Sequence, residues 1–341
     1  MPRARAKSRI LILYTGGTFG MDADSLTIPR LGAPALKRRL LEHVPELAAL
    51  AHCEVEVLMN RDSAHVGSAE WLKIAGRIRA RWKAFDGVVV LHGTDTLAYT
   101  ASALSFLLRP CLRPVVLTGA QRPLAALRSD ARRNLISAVE IAASRTPGRL
   151  SQVAVFFNDL LFQGNRVRKR SAVDYSGFDS PKAPALARVG AQVHWDRRAF
   201  RSVGSSPALK AAFSSRVAML QLTPGFPARA IREKLLPELE GLVLVAFPSG
   251  TAPTHDPEFL ALLDRARASG IPVVVATEGV GVTGSEYRAG QEMLARGCLW
   301  SGAMTPECAY VKASLLLGQG ARSRFESLWR RELAFEGVSQ R

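Results

Sequence analysis

Two corners of the chain gather the residue types that acyl-transfer chemistry uses. The first, Thr15-Gly16-Gly17-Thr18, breaks an apolar run. Its glycines let the backbone turn tightly and approach a ligand closely, and the flanking threonines supply hydroxyls. The second, His92-Gly93-Thr94-Asp95-Thr96, ends the β-branched run 88–91 and leads at once into a helical pattern. In an open α/β sheet, ligands sit just beyond the carboxyl ends of parallel strands, so two hydroxyls and a carboxylate stand at such a mouth. A hydroxyl is a weak nucleophile until a neighbour takes its proton. A lysine of lowered pKa can take it, and a carboxylate can hold that lysine in place. Lys169, in G-N-R-V-R-K at 164–169, and Ser63, in R-D-S-A-H at 61–65, fall on further strand-end loops of the same half of the chain. Threonine, carboxylate and lysine together can make an acyl-transfer site, with backbone N–H groups of the glycine corner receiving the oxyanion. Plain structural roles stand beside these: Thr94 and Asp95 as helix caps, Ser63 as the start of a turn, Lys169 as one solvated cation in a basic run.

The elements that must carry these loops read as strands alternating with helices. Residues 10–14, 55–58, 88–91, 114–117 and 153–157 are short apolar or β-branched runs, the signature of buried parallel strands. An amphipathic helix is expected over 36–50, and another opens at Ser68 as N-cap and carries Trp71, Ile74 and Ile78. A further helix opens at Ser129-Asp130, and the polar stretch 22–30 reads as a loop. Such alternation means right-handed crossovers and a parallel sheet. Near residues 195–207 the pattern gives way to Ser and Gly. A second set follows, with strands at 217–222, 241–247 and 272–276 and helices near 259–268, 287–295 and 307–317. The expected fold class is therefore α/β in two domains: a larger N-terminal domain with a mainly parallel sheet (1–194), a linker (195–213) and a smaller C-terminal α/β domain (214–341).

Composition bounds the partners. The chain has 341 residues, 48% hydrophobic, with a formal net charge of +17. A mean hydropathy of +0.06 suits a globular protein with a proper core. A strongly positive field attracts nucleic acid, anionic lipid or acidic solutes and says nothing about fold. The arginines are spread over many helices, and no zinc-finger spacing or RNA-recognition signature occurs, so the composition favours a solvated basic surface over a nucleic-acid partner. Four cysteines stand far apart without a C-x-x-C pair, which argues against a disulfide framework and a zinc site and fits a reducing compartment. The six histidines are scattered, so no metal is expected, and no cofactor. T-G-G-T-F-G lacks the dinucleotide-loop spacing, and no G-K-[ST] ending is present. The basic N-terminal run precedes only five apolar residues, too few for a signal-peptide core, and no stretch approaches a membrane span.

Y-T-G-G-T-F-G-M at 14–21 and L-H-G-T-D-T-L-A-Y-T-A-S-A-L-S-F-L-L at 91–108 resemble, in order and at the right distance, the two signatures of bacterial-type L-asparaginases, closest to the cytoplasmic type I branch. T-G-A-Q-R-P-L-A-A-L-R-S-D-A-R-R-N-L at 118–135, F-F-N-D at 156–159 and G-N-R-V-R-K at 164–169 are similar to that branch too. The resemblance implies a cytoplasmic amidohydrolase that converts L-asparagine to L-aspartate and ammonia through a threonine acyl-enzyme. It makes Thr18 the nucleophile and Thr94, Asp95 and Lys169 the second catalytic constellation. Ser63 would bind the substrate α-carboxylate, Asp95 its α-amino group, and the backbone of Ala120 its side-chain amide. It also implies a homodimer or a dimer of dimers, with no cofactor and no metal.

The sequence departs from the family pattern at two places. The family's mobile-loop tyrosine, just before an Ile-Pro-like pair, is Thr27 here, in a loop one residue shorter. In the second domain, Thr251 of F-P-S-G-T-A-P replaces an asparagine that reaches the neighbouring subunit's site, while Tyr287 of E-Y-R-A-G resembles a tyrosine that some type I relatives bring across the interface. Both departures point to slow asparagine hydrolysis. A related amidase for glutamine, D-asparagine or a modified asparagine, or a catalytically weak amino-acid-binding protein, are the alternatives.

Overall fold

The computed structural model describes residues 6–25, 27, 32–145, 150–196, 210–280, 286–320 and 322–337. The chain divides into two compact units, residues 1–180 with 184–206, and residues 207–341 with 181–183.

In the first unit, β1 (Arg9–Gly16) is buried at every position after Arg9, because residues 10–14 carry apolar side chains to both faces. α1 (Ala33–His43) and α2 (Leu47–Leu50) occupy the stretch 36–50, where the sequence suggests one helix. The break has a local cause: Pro45 disfavours the helical region for Val44, which sits at φ −134°, ψ 64°. β2 (His52–Arg61) follows, longer than the expected 55–58. α3 (Ser68–Arg81) is capped from Gly67, not from Ser68: the Glu70 carboxylate accepts the Gly67 N–H, which makes Ser68 the first helical residue. Then come β3 (Gly87–Leu91), α4 (Leu97–Leu107), β4 (Val115–Thr118), α5 (Ala131–Ala143) and β5 (Val153–Phe157).

Strands β2, β1, β3, β4 and β5 pair in parallel in that order. β6 (Leu160–Gln163) then turns back antiparallel on β5. The turn is Asn158-Asp159, both in the left-handed region at φ 43° and 70°, which is the geometry of a tight hairpin. β7 (Arg168–Lys169) and β8 (Phe178–Asp179) form a separate antiparallel ribbon, and β9 (Ala187–Val189) and β10 (Val193–Trp195) extend the main sheet antiparallel beyond β6. The sheet is thus mainly parallel, with an antiparallel edge that the alternation of strands and helices does not announce. The arginines of α3 are not simply solvated: Arg77 and Arg81 pair with Glu56 and Glu54 of β2, and Arg79 donates to the Leu107 carbonyl.

The second unit is a four-stranded parallel sheet in the order β11 (Val217–Gln221), β12 (Gly241–Ala246), β13 (Val273–Thr277) and β14 (Leu299–Trp300). Its helices are α6 (Ala228–Ala230), α7 (Pro257–Ala268), α8 (Arg288–Ala295), α9 (Pro306–Gly318) and α10 (Phe325–Trp329). A fully buried ion pair fixes its C-terminal segment: Lys312 Nζ lies 2.6 Å from Glu336 Oε1 and also donates to the Trp329 and Arg331 carbonyls. Most of the expected linker, 197–209, lies outside the described residues.

Candidate active site

The strand order fixes where a ligand can sit. From β1 the chain moves outward to β2 on one side and through β3 and β4 on the other, so the order reverses between β1 and β3. At such a reversal the connections leave to opposite faces, and ligands of open α/β sheets bind outside the carboxyl ends of the strands. The loops after β1, β2, β3 and β4 carry Thr18, Ser63, Thr94 with Asp95, and Ala120 respectively.

Glycines press these loops together. Gly16 and Gly17 adopt φ 117° and 81°, where a side chain is strained. A Cβ on Gly17 would lie 2.2 Å from Gly93 Cα, and one on Gly93 would lie 2.7 Å from Ser63 Oγ. Gly17 N donates to the Arg61 carbonyl at 3.0 Å, across a register shift between β1 and β2. Thr18 then opens a single 3-10 turn, Thr18–Gly20, and its half-buried hydroxyl has no hydrogen-bond partner among the described residues. Tyr14 lies beneath that turn: a Cβ on Gly20 would meet its hydroxyl at 1.9 Å. The phenol donates to Asn60 Oδ1 at 3.1 Å, and burial lifts its pKa to about 12, which keeps it a neutral donor. Thr15, the other threonine of the corner, is committed to structure, donating to the Leu91 carbonyl at 2.8 Å.

At the second corner the expected caps are not seen. The N-cap of α4 is Thr96, and no side chain caps that helix. Thr96 Oγ1 instead donates to the Ser63 carbonyl at 2.7 Å. Lys169 Nζ donates to Thr94 Oγ1 and to Asp95 Oδ1, each at 2.7 Å. The lysine is 18% exposed and the aspartate 67%, so the pair spans from the crevice wall to solvent. Lys169 reaches this point from β7, where it pairs with Phe178, whose ring lies 4.8 Å from that of Phe157 at the end of β5. Ser63, 3% exposed, opens a 3-10 turn through His65. Thr18, Ser63, Thr94, Asp95 and Ala120 therefore all follow strands at one end of the main sheet, and Lys169 reaches Thr94 and Asp95 there from the separate β7–β8 ribbon. Thr251, which follows β12, and Tyr287, the half-exposed N-cap of α8, belong to the second unit. Thr27 is exposed, and its hydroxyl lies 2.8 Å from Ser25 Oγ inside a turn closed by Asp22 N donating to the Thr27 carbonyl.

Three supporting residues are not singled out by sequence reasoning. His92 is fully buried: Trp71 Nε1 donates to Thr100 Oγ1, whose hydroxyl donates to His92 Nε2, so the proton sits on Nδ1 and goes to the Gly93 carbonyl at 2.7 Å. Burial pushes its pKa down to about 4, against the Gly93 contact, and the ring is neutral. Asp130 and Asn134 hold the loop after β4, and the spacing of four along α5 was the available signal. No group of three His, Cys, Asp or Glu able to hold a metal occurs among the described residues, and no described helix is long and apolar enough to cross a membrane.

Two open α/β sheets, the larger with a hydroxyl, carboxylate and lysine constellation at its switch point, define the class: an α/β enzyme scaffold whose ligand crevice is built from strand-end loops. Comparison with known proteins narrows this. The family described as "Asparaginase, N-terminal" matches residues 9–201, and "Glutaminase/Asparaginase C-terminal domain" matches residues 216–325. The chain is 34% identical to L-asparaginase 1 of Escherichia coli K12, over 92% of this chain and 93% of that protein. It is 36% identical to the mouse 60 kDa lysophospholipase over 91% of this chain, but spans only 59% of that protein's length. The L-asparaginase I of Vibrio cholerae superposes with a TM-score of 0.84 at 32% identity, covering 98% of this chain and all 100% of that one. The chain belongs to the bacterial-type L-asparaginase family, among its type I members.

Proposed function

We propose that the protein is an amidohydrolase that converts the side-chain amide of L-asparagine to L-aspartate and ammonia. The observation that carries this reading is Lys169 Nζ at 2.7 Å from both Thr94 Oγ1 and Asp95 Oδ1, on the loop that Gly93 packs against the Thr18 corner. Thr18 Oγ attacks the amide carbon, and its proton passes through the Thr94–Lys169 pair to the departing nitrogen. Ammonia leaves, and the bond formed is an ester between Thr18 and the β-carboxyl of aspartate. Water then cleaves that ester, giving its proton back to Thr18. Ser63 binds the α-carboxylate, Asp95 the α-amino group, and the Ala120 backbone the side-chain amide. Preorganised donors and a held base of this kind account for most of the acceleration in acyl transfer.

The unit organisation is read as 1–194 and 214–341 joined by 195–213, acting as a homodimer or dimer of dimers in which Thr251 and Tyr287 complete the neighbour's site. The four free cysteines support a reducing, cytoplasmic setting. A second reading, a weakly catalytic amino-acid binder, is favoured by Thr27, whose hydroxyl is engaged with Ser25. Ammonia release from L-asparagine, L-glutamine and D-asparagine, with aspartate release from an N-substituted asparagine, separates these. A lysophospholipid ester, read by fatty-acid release, joins the panel because of the name of the mouse relative. Turnover of L-asparagine fastest of the set supports the first reading, and binding without turnover supports the second.

A further inference from the structure

Asp130 occupies the N-cap position of α5 and does not cap it. Its carboxylate, 9% exposed, turns away from the helix and accepts Gln121 N at 3.0 Å on both oxygens and Arg122 N at 3.0 Å. One helical turn on, Asn134 is 1% exposed and donates from Nδ2 to the Gly119 carbonyl at 3.0 Å and to Asp130 Oδ2 at 3.1 Å. Its Oδ1 accepts Asn158 N at 3.3 Å, which fixes the orientation of the amide.

These contacts pin the two peptide planes on either side of Ala120. In a trans peptide the C=O and N–H point in opposite directions. Because the Gly119 C=O faces Asn134, the Ala120 N–H faces away from α5. Because the Gln121 N–H faces Asp130, the Ala120 C=O also faces away from α5. Ala120 is fully buried, and among the described residues its N–H donates to none and its C=O accepts from none. Buried backbone groups are almost always paired, so a pair held out in this way is shaped for a partner. The same stretch lies against the catalytic corner: a Cβ on Gly119 would stand 3.4 Å from Thr94 Cγ2.

We propose that Asp130 and Asn134 are positioning residues that aim the Ala120 peptide groups at the substrate's side chain, and so set the preference for an amide over the corresponding acid. The inference rests on the amidohydrolase reading above. A carbonyl held in place accepts an N–H from the amide nitrogen, whereas a carboxylate oxygen there would meet it lone pair to lone pair. Releasing either peptide plane lets the carbonyl rotate, and the preference falls.

The test is calorimetric titration of the full chain carrying Thr18→Ala, with L-asparagine and with L-aspartate, alone and combined with Asp130→Asn. The expected result is a ratio of dissociation constants, aspartate to asparagine, that falls roughly tenfold, the size of one misaligned hydrogen bond. Asn134→Ser leaves the Asp130 contacts to Gln121 N and Arg122 N in place, releases the Gly119 carbonyl together with the Asn134 contacts to Asp130 and Asn158, and carries the same test if Asp130→Asn does not fold. An unchanged ratio in a folded variant, even one with a lower melting temperature, overturns the inference and leaves the functional reading intact. Binding of neither ligand by Thr18→Ala itself contradicts the functional reading and takes this inference with it.

Discussion

Gly17 and Gly93 are in backbone contact: a methyl group on the first would stand 2.2 Å from Cα of the second. The two residues lie just beyond different strands, β1 and β3, and their contact holds the turn of Thr18 against the loop of Thr94. Gly17 also sits at φ 81° and ψ −174°, a region that is essentially glycine's alone and costs an L side chain about 1–3 kcal/mol before any overlap. Gly17→Ala is therefore expected to lower the melting temperature and reduce kcat by at least about 100-fold, because small misplacements of reacting groups are expensive. Gly76→Ala is the control. Gly76 lies within α3 and its Cβ would meet nothing within 4 Å, so that change should stabilise the protein by roughly 0.5–1 kcal/mol and spare activity. Equal losses in the two variants would contradict the role given to the contact.

His92 gives the fold a pH dependence of definite sign. Its pKa is held near 4 in the folded state, by burial, against about 6.5 in an unfolded chain. Between those values the unfolded chain takes up a proton that the folded one refuses, so stability present above pH 6.5 is lost as the pH falls toward 4. The full loss is on the order of 3 kcal/mol. Urea unfolding midpoints should therefore drop over this window in the wild type and drop less in His92→Gln. An identical slope in the variant would assign the dependence elsewhere.

Much of the fold is legible in the sequence where a buried strand is a continuous apolar run closed by glycine, as at residues 10–14 and 88–91. The antiparallel edge is not, because β9 and β10 have three residues each, too short to show a period. The hairpin into β6 did leave a signal, since Asn158-Asp159 are the residue types that tolerate a left-handed turn. The site divides in the same way. Thr18, Thr94 and Asp95 stand out because each follows a strand, but the placement of Lys169 depends on the two-residue ribbon of β7 and β8. Asp130 reads as a helix opener from sequence alone, and only its hydrogen bonds reveal that it serves another loop.

Thr27 marks the expected limit on rate. Its hydroxyl is engaged with Ser25 within the Asp22–Thr27 turn, so it offers the nucleophile no phenol. General acid–base assistance is typically worth about 10²–10⁴-fold. Thr27→Tyr alone should change kcat little, because the closed turn holds that position. Lengthening the loop by one residue and introducing the tyrosine together should raise kcat for L-asparagine. Wild-type turnover already at typical enzyme rates, about 10 s⁻¹ or more, with no gain from the double change, would count against this view of the loop.

The central claim is that Thr18 is the nucleophile of an amide hydrolysis, and the most direct measurement is ammonia release from L-asparagine by the wild type, Thr18→Ala and Thr94→Ala under one set of conditions. The wild type should release one ammonia per aspartate formed. Each variant should lose at least about 10³-fold in kcat while staying folded, and the double variant should lose little more, since such constellations act as a unit. Thr18→Ala retaining activity within tenfold of wild type would place the nucleophile elsewhere and contradict the account.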